Sequence, residues 1–368
     1  MSQQRCRWGI LGTAGIARKN WQAIKLSGNG SLVAVASRQV EKASQFIAEC
    51  MSDVPFAEAP CPCTYEQLLS SPHIDAVYIP LPTGLRKEWV IRAAEAGKHV
   101  LVEKPVGVTA ADVSEMLAAC RKNNVQFMDG VMFMHSRRLE RLRQVIDDGT
   151  SIGKLRRIAT QFSFQAPDDF LAGQNIRVHE DLEPMGCLGD LGWYTVRFSL
   201  WVMRYALPRR VTGRLLNQVQ KPGGKVAVPL EFSGELFFEG DVSASFYTSF
   251  LTENQEWASV SGSKGNLLVR DFVLPFFGSE ASFDVTNAVF RASGCNFNME
   301  GHTRRESVAE YSNSAANSQE TNLFRTFGQL VLEGRRDDHW GEIALKTQQV
   351  LDACLRSAHN DGRPETIG

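Results

Sequence analysis

Residues 8–17 read Trp8-Gly9-Ile10-Leu11-Gly12-Thr13-Ala14-Gly15-Ile16-Ala17, a short apolar strand that ends in a glycine turn and opens into a helical pattern. The dinucleotide template G-x-G-x-x-G/A is nearly matched there. In that template the first glycine makes the turn, the second lets backbone amides approach a pyrophosphate, and the third lets helix and strand pack closely. Ala14 holds the second place, and its methyl lengthens the approach slightly, with the small Gly15 beside it. Gly12, Thr13, Ala14, Gly15 and Ile16 are the candidate phosphate contacts. The motif gains specificity from its place between a first strand and a first helix.

Outward from this turn, β-branched runs alternate with amphipathic stretches as far as about residue 127, the pattern of βαβ units on a parallel sheet. The strands read are Trp8–Leu11, Leu32–Ala36, Ala76–Ile79, His99–Val102 and Val125–Met128, and the helices Ile16–Ser27, Val40–Cys50, Arg86–Ala96 and Ala110–Lys122. Beyond about residue 150 apolar and polar residues alternate, as in Leu155–Gln165, Val211–Val219, Ala227–Phe238, Val242–Leu251, Trp257–Ser261 and Asn266–Val273. Such alternation predicts an antiparallel sheet with one covered face. Its helical cover is expected at Gly189–Tyr205. The fold class is therefore α/β followed by α+β, with a nucleotide domain at 1–127, a sheet domain at 128–368, and a closing helix at 343–358. The change of texture excludes a single eight-fold βα barrel. The Ser- and Asn-rich segment Ala281–Gln319 is expected to be a long loop or a partly mobile insertion.

Across 368 residues, 40 basic and 41 acidic side chains leave a net charge of −1, and 43% of residues are apolar. That balance argues against a nucleic-acid partner, which needs surplus Lys and Arg. Apolar runs such as Val77–Leu81 are too short to cross a membrane. Eight cysteines without framework spacing, and a beginning that runs straight into a strand, point to free thiols and a cytoplasmic location. Cys61-Pro62-Cys63 falls in a Pro-rich loop, and no His/Cys set suggests a metal.

Three further motifs carry chemistry. The second strand ends Val35-Ala36-Ser37-Arg38, where an NAD-preferring chain usually places a carboxylate on the ribose. A hydroxyl and a guanidinium fit a 2′-phosphate instead, so Ser37 and Arg38 favour NADP over NAD. The fourth strand delivers Glu103-Lys104-Pro105 to the carboxyl edge of the sheet, where ligands bind. In Gly189-Asp190-Leu191-Gly192-Trp193-Tyr194, the residues Asp190, Tyr194 and Arg197 stand at i, i+4 and i+7 and share a face if the run is helical. A carboxylate, a phenol and a guanidinium on one stripe of an apolar helix suggest a cleft.

The ordered series Gly12–Ala17, Val35–Arg38, Ile79-Pro80-Leu81-Pro82-Thr83, Glu103–Pro105 and Gly189–Tyr194 resembles the family of glucose-fructose oxidoreductase and inositol 2-dehydrogenase. Within it the chain is similar to the branch of dimeric dihydrodiol dehydrogenase and NADP-dependent xylose dehydrogenase. The resemblance implies a Rossmann domain, an open, mainly antiparallel sheet whose free face forms a homodimer or homotetramer, and a nicotinamide held between the domains. It implies cofactor contacts at Pro80, Leu81, Pro82, Glu103 and Lys104 and a substrate carbinol beside Lys104. Most relatives carry a His on the later helix, and Tyr194 matches the tyrosine-bearing branch. The loop after the third parallel strand departs from the family, with Arg86 near the place of its usual His.

A phenol is a weak base at neutral pH, and a nearby ammonium would favour the phenolate. Tyr194 is accordingly expected as acid/base, Lys104 as its electrostatic partner and Asp190 as an orienter or hydroxyl acceptor. Arg177, Phe164 and Arg197 are candidate substrate contacts, and Phe162, Phe170 and His179 lie in the same neighbourhood of the sequence. The expected activity is hydride transfer with a sugar, polyol or cyclic diol. An NAD-dependent glycosidase and a non-catalytic nucleotide sensor are the alternatives.

Overall fold

The computed structural model describes residues 4–221 and 223–367. Two compact units emerge. The first takes in the chain up to His135 together with His179–Pro184 and Asn313–Gln348; the second takes in Ser136–Val178, Met185–Ser312 and the residues from Gln349 onward. Residues 313–348, grouped by sequence with the sheet domain, are thus counted with the first unit.

The chain begins β1 (Cys6–Leu11), α1 (Gly15–Leu26), β2 (Gly30–Ala36), α2 (Val40–Asp53), β3 (Cys61–Cys63) and α3 (Tyr65–Ser70). It continues β4 (Ala76–Ile79), α4 (Thr83–Glu95), β5 (His99–Val102), α5 (Ala110–Lys122) and β6 (Phe127–Asp129). These six strands form one parallel sheet in the order β3-β2-β1-β4-β5-β6. All of Ala76–Ile79 and Val100–Val102 are buried, as expected for strands covered on both faces. The order reverses between β1 and β4, so a crevice opens at their carboxyl ends.

The second unit contributes α6 (Arg138–Asp147), β7 (Leu155–Gln165), α7 (Gly186–Asp190), α8 (Gly192–Val202), β8 (Arg210–Val219), β9 (Val228–Phe237) and β10 (Ser243–Ser249). It adds β11 (Leu251–Gly262), β12 (Asn266–Val269), β13 (Glu280–Ser293) and β14 (Asn296–Ala309). The chain ends with α9 (Gln319–Leu332), α10 (His339–His359) and β15 (Glu365–Thr366). The nine-stranded sheet runs β14-β13-β12-β11-β7-β10-β9-β8-β15, antiparallel except for the β7/β10 pair. Ile158, Ala244, Phe246, Ala258, Val260 and Leu267 form its buried face, and α8 packs across β7 and β10. The opposite face carries Arg157, Gln161, Ser233, Glu235, Tyr247 and Trp257 around a groove of about 440 Å³.

Three expectations are corrected, and one helix was not foreseen. Ala281–Gln319 is mostly a β-hairpin of two 14-residue strands rather than a loop. Its inner half buries Ala281, Phe283 and Val285, while its outer half is largely exposed. Cys61–Cys63 is an edge strand paired with Ala34–Ala36, because β2 leaves that edge open to it. The run Gly189–Tyr205 is not one helix, since α7 and α8 meet at Leu191 and α8 stops at Val202, with Arg204 and Tyr205 at positive φ. α9, missed in the sequence, sets Phe324 and Phe327 against Trp8, each with ring centroids 5.1 Å away.

Candidate active site

At the end of β1, Gly12 takes a φ of +126°, and a β-carbon there would meet Leu81 at 3.0 Å. The residue thus serves both a left-handed turn and a close approach of the Pro80-Leu81-Pro82 loop. The Gly12 amide bonds to the Ala36 carbonyl at 2.9 Å, joining the turn to the end of β2. Ala14 stands at the N-cap of α1, with no side chain capping the helix and no acidic residue in its first turn. Gly15 has open space within 4 Å of where a β-carbon would lie. A helix N-terminus left bare in this way suits an anion, since its amides and its dipole both favour negative charge. These residues fit a dinucleotide pyrophosphate.

Ser37 follows β2 and is buried, its amide bonded to Cys63 at 3.1 Å and its Oγ accepting the Gln39 N–H at 3.4 Å. As an acceptor in that bond, the hydroxyl keeps its own proton to donate. Arg38 is exposed. Burial pushes the Tyr65 phenol up, and the Arg38 charge pulls it in the opposite direction, which sets the guanidinium near the start of α3.

Glu103, Lys104 and Pro105 follow β5 and are all buried, and the Lys104–Pro105 peptide is cis. The Glu103 carboxylate faces inward. Its Oε1 accepts from the Tyr78 hydroxyl at 2.7 Å and from Asn20 at 3.4 Å, and its Oε2 accepts the Lys104 N–H at 3.2 Å. Burial and the neighbouring Glu103 charge push the Tyr78 phenol well above its ordinary value. The carboxylate thus braces the backbone that carries Lys104.

The loop between β4 and α4 is held from two sides. The Glu183 carboxylate accepts the Thr83 N–H at 3.2 Å and its hydroxyl at 2.6 Å, capping α4. The Gly84 N–H bonds to Leu182 at 2.9 Å, and a β-carbon on Gly84 would lie 2.1 Å from the Asp181 carbonyl oxygen. Arg86, buried, donates to the Leu81 carbonyl at 2.7 Å, to Thr83 Oγ1 at 3.1 Å and to the Pro105 carbonyl.

In the second unit, Asp190 ends α7 and pairs with Arg177 at 3.2 Å. Tyr194 lies in the first turn of α8, nearly buried, its ring 5.5 Å from Phe162. Every residue of α8 is buried, Tyr194 and Arg197 included, and Asp190 belongs to α7 rather than to the same helix. Arg197 is fully enclosed, its guanidinium 5.8 Å from the Trp193 ring. Phe164 packs with Phe170 and Phe250 in a cluster with centroids 5.1 to 5.8 Å apart. His179 belongs to the first unit, where its carbonyl accepts from Leu182 and Glu183. Sequence reasoning missed Tyr78, Asn20, Thr83 and Glu183. Glu183 lies 100 residues from its partner Thr83, and no local pattern signals that contact.

The family model for the oxidoreductase family with an NAD-binding Rossmann fold matches residues 6–131, and that for the GFO/IDH/MocA C-terminal domain matches 139–268. A dTDP-3,4-didehydro-2,6-dideoxy-alpha-D-glucose 3-reductase of Saccharopolyspora spinosa is 33% identical over 273 residues, 73% of this chain and 76% of the relative. A D-xylose 1-dehydrogenase (NADP(+)) of Haloferax volcanii is 30% identical over 260 residues, 71% of this chain and 74% of the relative. The fold matches that of a 3-ketoreductase from Actinomadura kijaniata, solved with TDP-benzene and NADP, at a TM-score of 0.75 and 23% identity, covering 96% of this chain and 97% of the other. By its glycine turn, its two matched domains and these relatives, the chain belongs to the GFO/IDH/MocA oxidoreductase family.

Proposed function

We propose that the chain is an NADP-dependent oxidoreductase moving hydride between the nicotinamide and a carbinol carbon of a sugar, polyol or cyclic diol. One observation carries this reading most directly: the uncapped N-terminus of α1 after Gly12, with Ser37-Arg38 in place of an acidic residue at the end of β2. The names of the xylose dehydrogenase relative and of the NADP-bound structural neighbour support it. Gly12, Thr13, Ala14, Gly15 and Ile16 would hold the pyrophosphate, Ser37 and Arg38 the 2′-phosphate, and Pro80, Leu81 and Pro82 the wall beside it. When bound, NADP supplies the hydride acceptor or donor. Tyr194 takes the hydroxyl proton during oxidation and returns it during reduction. Lys104 is assigned as the ammonium whose charge would favour the phenolate, and Asp190, held by Arg177, as the group that would orient the substrate hydroxyl. Glu103 acts through its braces on the Lys104 backbone, and the enclosed Arg197 is not proposed as a substrate contact.

We further propose a cytoplasmic homo-oligomer with residues 1–127 as its nucleotide domain and 128–368 as its substrate and oligomerisation domain. Eight free cysteines support the reducing location. Among the described residues no helix is long and apolar enough to cross a membrane. The exposed groove of the nine-stranded sheet and its outer hairpin support the assembly. Titrating NADP and NAD against wild type and Arg38→Asp tests the cofactor reading. The expected result is tighter NADP binding in wild type and a preference shifted toward NAD in the variant. An unchanged preference would refute it.

A further inference from the structure

We propose that Arg86 is a positioning residue for Lys104, an inference that rests on the oxidoreductase reading above. A buried guanidinium is costly unless its donors are met, so its partners show what it is there to hold. Arg86 reaches two backbone carbonyls from two different loops, Leu81 after β4 and Pro105 after β5. It therefore ties the wall of the proposed cofactor site to the residue that follows Lys104. The N–H of Lys104 is held independently by Glu103 at 3.2 Å. The lysine backbone is thus gripped on both sides, by a carboxylate at its amide and by a guanidinium at the next carbonyl.

The charge is compensated along a relay. Arg86 donates to Thr83 Oγ1 at 3.1 Å, and that hydroxyl donates to Glu183 at 2.6 Å. On the other flank the Arg86 charge acts on Tyr78, whose hydroxyl bonds to Glu103. A planar fork can serve Nε and NH1 contacts at once, whereas an ammonium is a single point and cannot span the same two carbonyls. Arg86 touches neither substrate nor cofactor in this scheme. It sets where the Lys104 ammonium stands.

The test uses the full chain as Arg86→Lys and Arg86→Met, with three readouts: NADP affinity by fluorescence, kcat and KM, and modification of Lys104 by an amine reagent with and without NADP, measured by mass spectrometry. With the lysine misplaced, kcat should fall about a hundredfold, the scale of a 1 Å error at a reacting centre. NADP affinity should stay within about threefold, less than 1 kcal/mol, while NADP should no longer protect Lys104 from the reagent. Wild-type kcat and protection in both variants would overturn the proposal. So would a parallel loss of NADP affinity and thermal stability, which would make Arg86 a packing residue only. If Arg86→Met does not fold, Thr83→Val removes the hydroxyl that links Arg86 to Glu183 and leaves both carbonyl contacts of Arg86 in place; the same split, with a roughly tenfold loss of kcat, supports the proposal and unchanged behaviour refutes it. A Lys104→Ala control separates the two levels. Retained turnover there would remove the role of Lys104 itself, whereas Arg86-dependent protection of Lys104 would still be read without turnover.

Discussion

The Tyr78 hydroxyl donates a 2.7 Å hydrogen bond to Glu103 Oε1, beneath the loop that carries Lys104. Burial, reinforced by the Glu103 charge, keeps that phenol protonated far above its ordinary range, so it remains a donor at every working pH. Tyr78→Phe should leave a buried carboxylate short of a donor, at a cost of about 1–3 kcal/mol. Denaturant unfolding checks the stability loss, and kcat should drop with it because the Lys104 amide is then held by a looser carboxylate.

Gly15→Asp separates stability from binding at the glycine turn. Open space surrounds Gly15, and an acidic side chain in a first helical turn stabilises by roughly 0.3–1 kcal/mol, so the melting temperature should hold or rise. The same carboxylate would oppose a pyrophosphate. At roughly 5 Å and an effective dielectric near 20, about 3 kcal/mol of repulsion follows, a loss of NADP affinity of about a hundredfold. Calorimetric titration beside a thermal melt reads both quantities.

His99 gives a pH dependence of known sign. Burial depresses its pKa, with Asp75 opposing weakly, and its Nδ1 accepts the Gln126 N–H at 2.9 Å, which requires the neutral ring. A depressed folded pKa contributes stability that is complete above the unfolded value of about 6.5 and is lost as pH falls below it. Unfolding free energy should therefore decline as pH falls below about 6.5. His99→Asn, whose amide oxygen can take the same N–H without titrating, should flatten that slope.

The outer hairpin is two-faced. Cross-strand pairing puts Ala288 with Gly301, Phe290 with Met299 and Ala292 with Phe297, all on one face, while Arg291 and Glu300 pair at 2.7 Å on the other. A two-stranded ribbon with an exposed apolar face is marginal alone and gains by being covered. If the proposed oligomer uses it, Phe290→Ser with Phe297→Ser should lower the mass measured by light scattering toward a single chain, with NADP affinity unchanged. An unaltered mass would place the interface elsewhere.

The parallel sheet was legible because its strands are continuous apolar runs between turns, and Gly12 marked the turn that ends the first of them. The hairpin was not, because Ser and Asn residues around its tip dilute an alternation that is present in Phe290, Ala292, Phe297 and Met299. α9 had a signal too, in Leu323, Phe324, Phe327 and Leu330 at helical spacing. The spacing of Asp190, Tyr194 and Arg197 gave no sign of the break at Leu191, which leaves Asp190 on α7 and Tyr194 and Arg197 on the buried α8. The Arg86–Thr83–Glu183 relay joins segments 100 residues apart. Only the fold brings them together.

The central claim is tested most directly by following nicotinamide absorbance with NADP across aldoses, inositols and cyclic diols, for wild type, Lys104→Ala and Tyr194→Phe, with NADP affinity measured alongside. The account expects turnover of at least one carbinol by wild type and a loss of about a hundredfold or more in each variant, with NADP still bound. Wild-type turnover in both variants, or NADP binding with no carbinol oxidised and no carbonyl reduced, would contradict it.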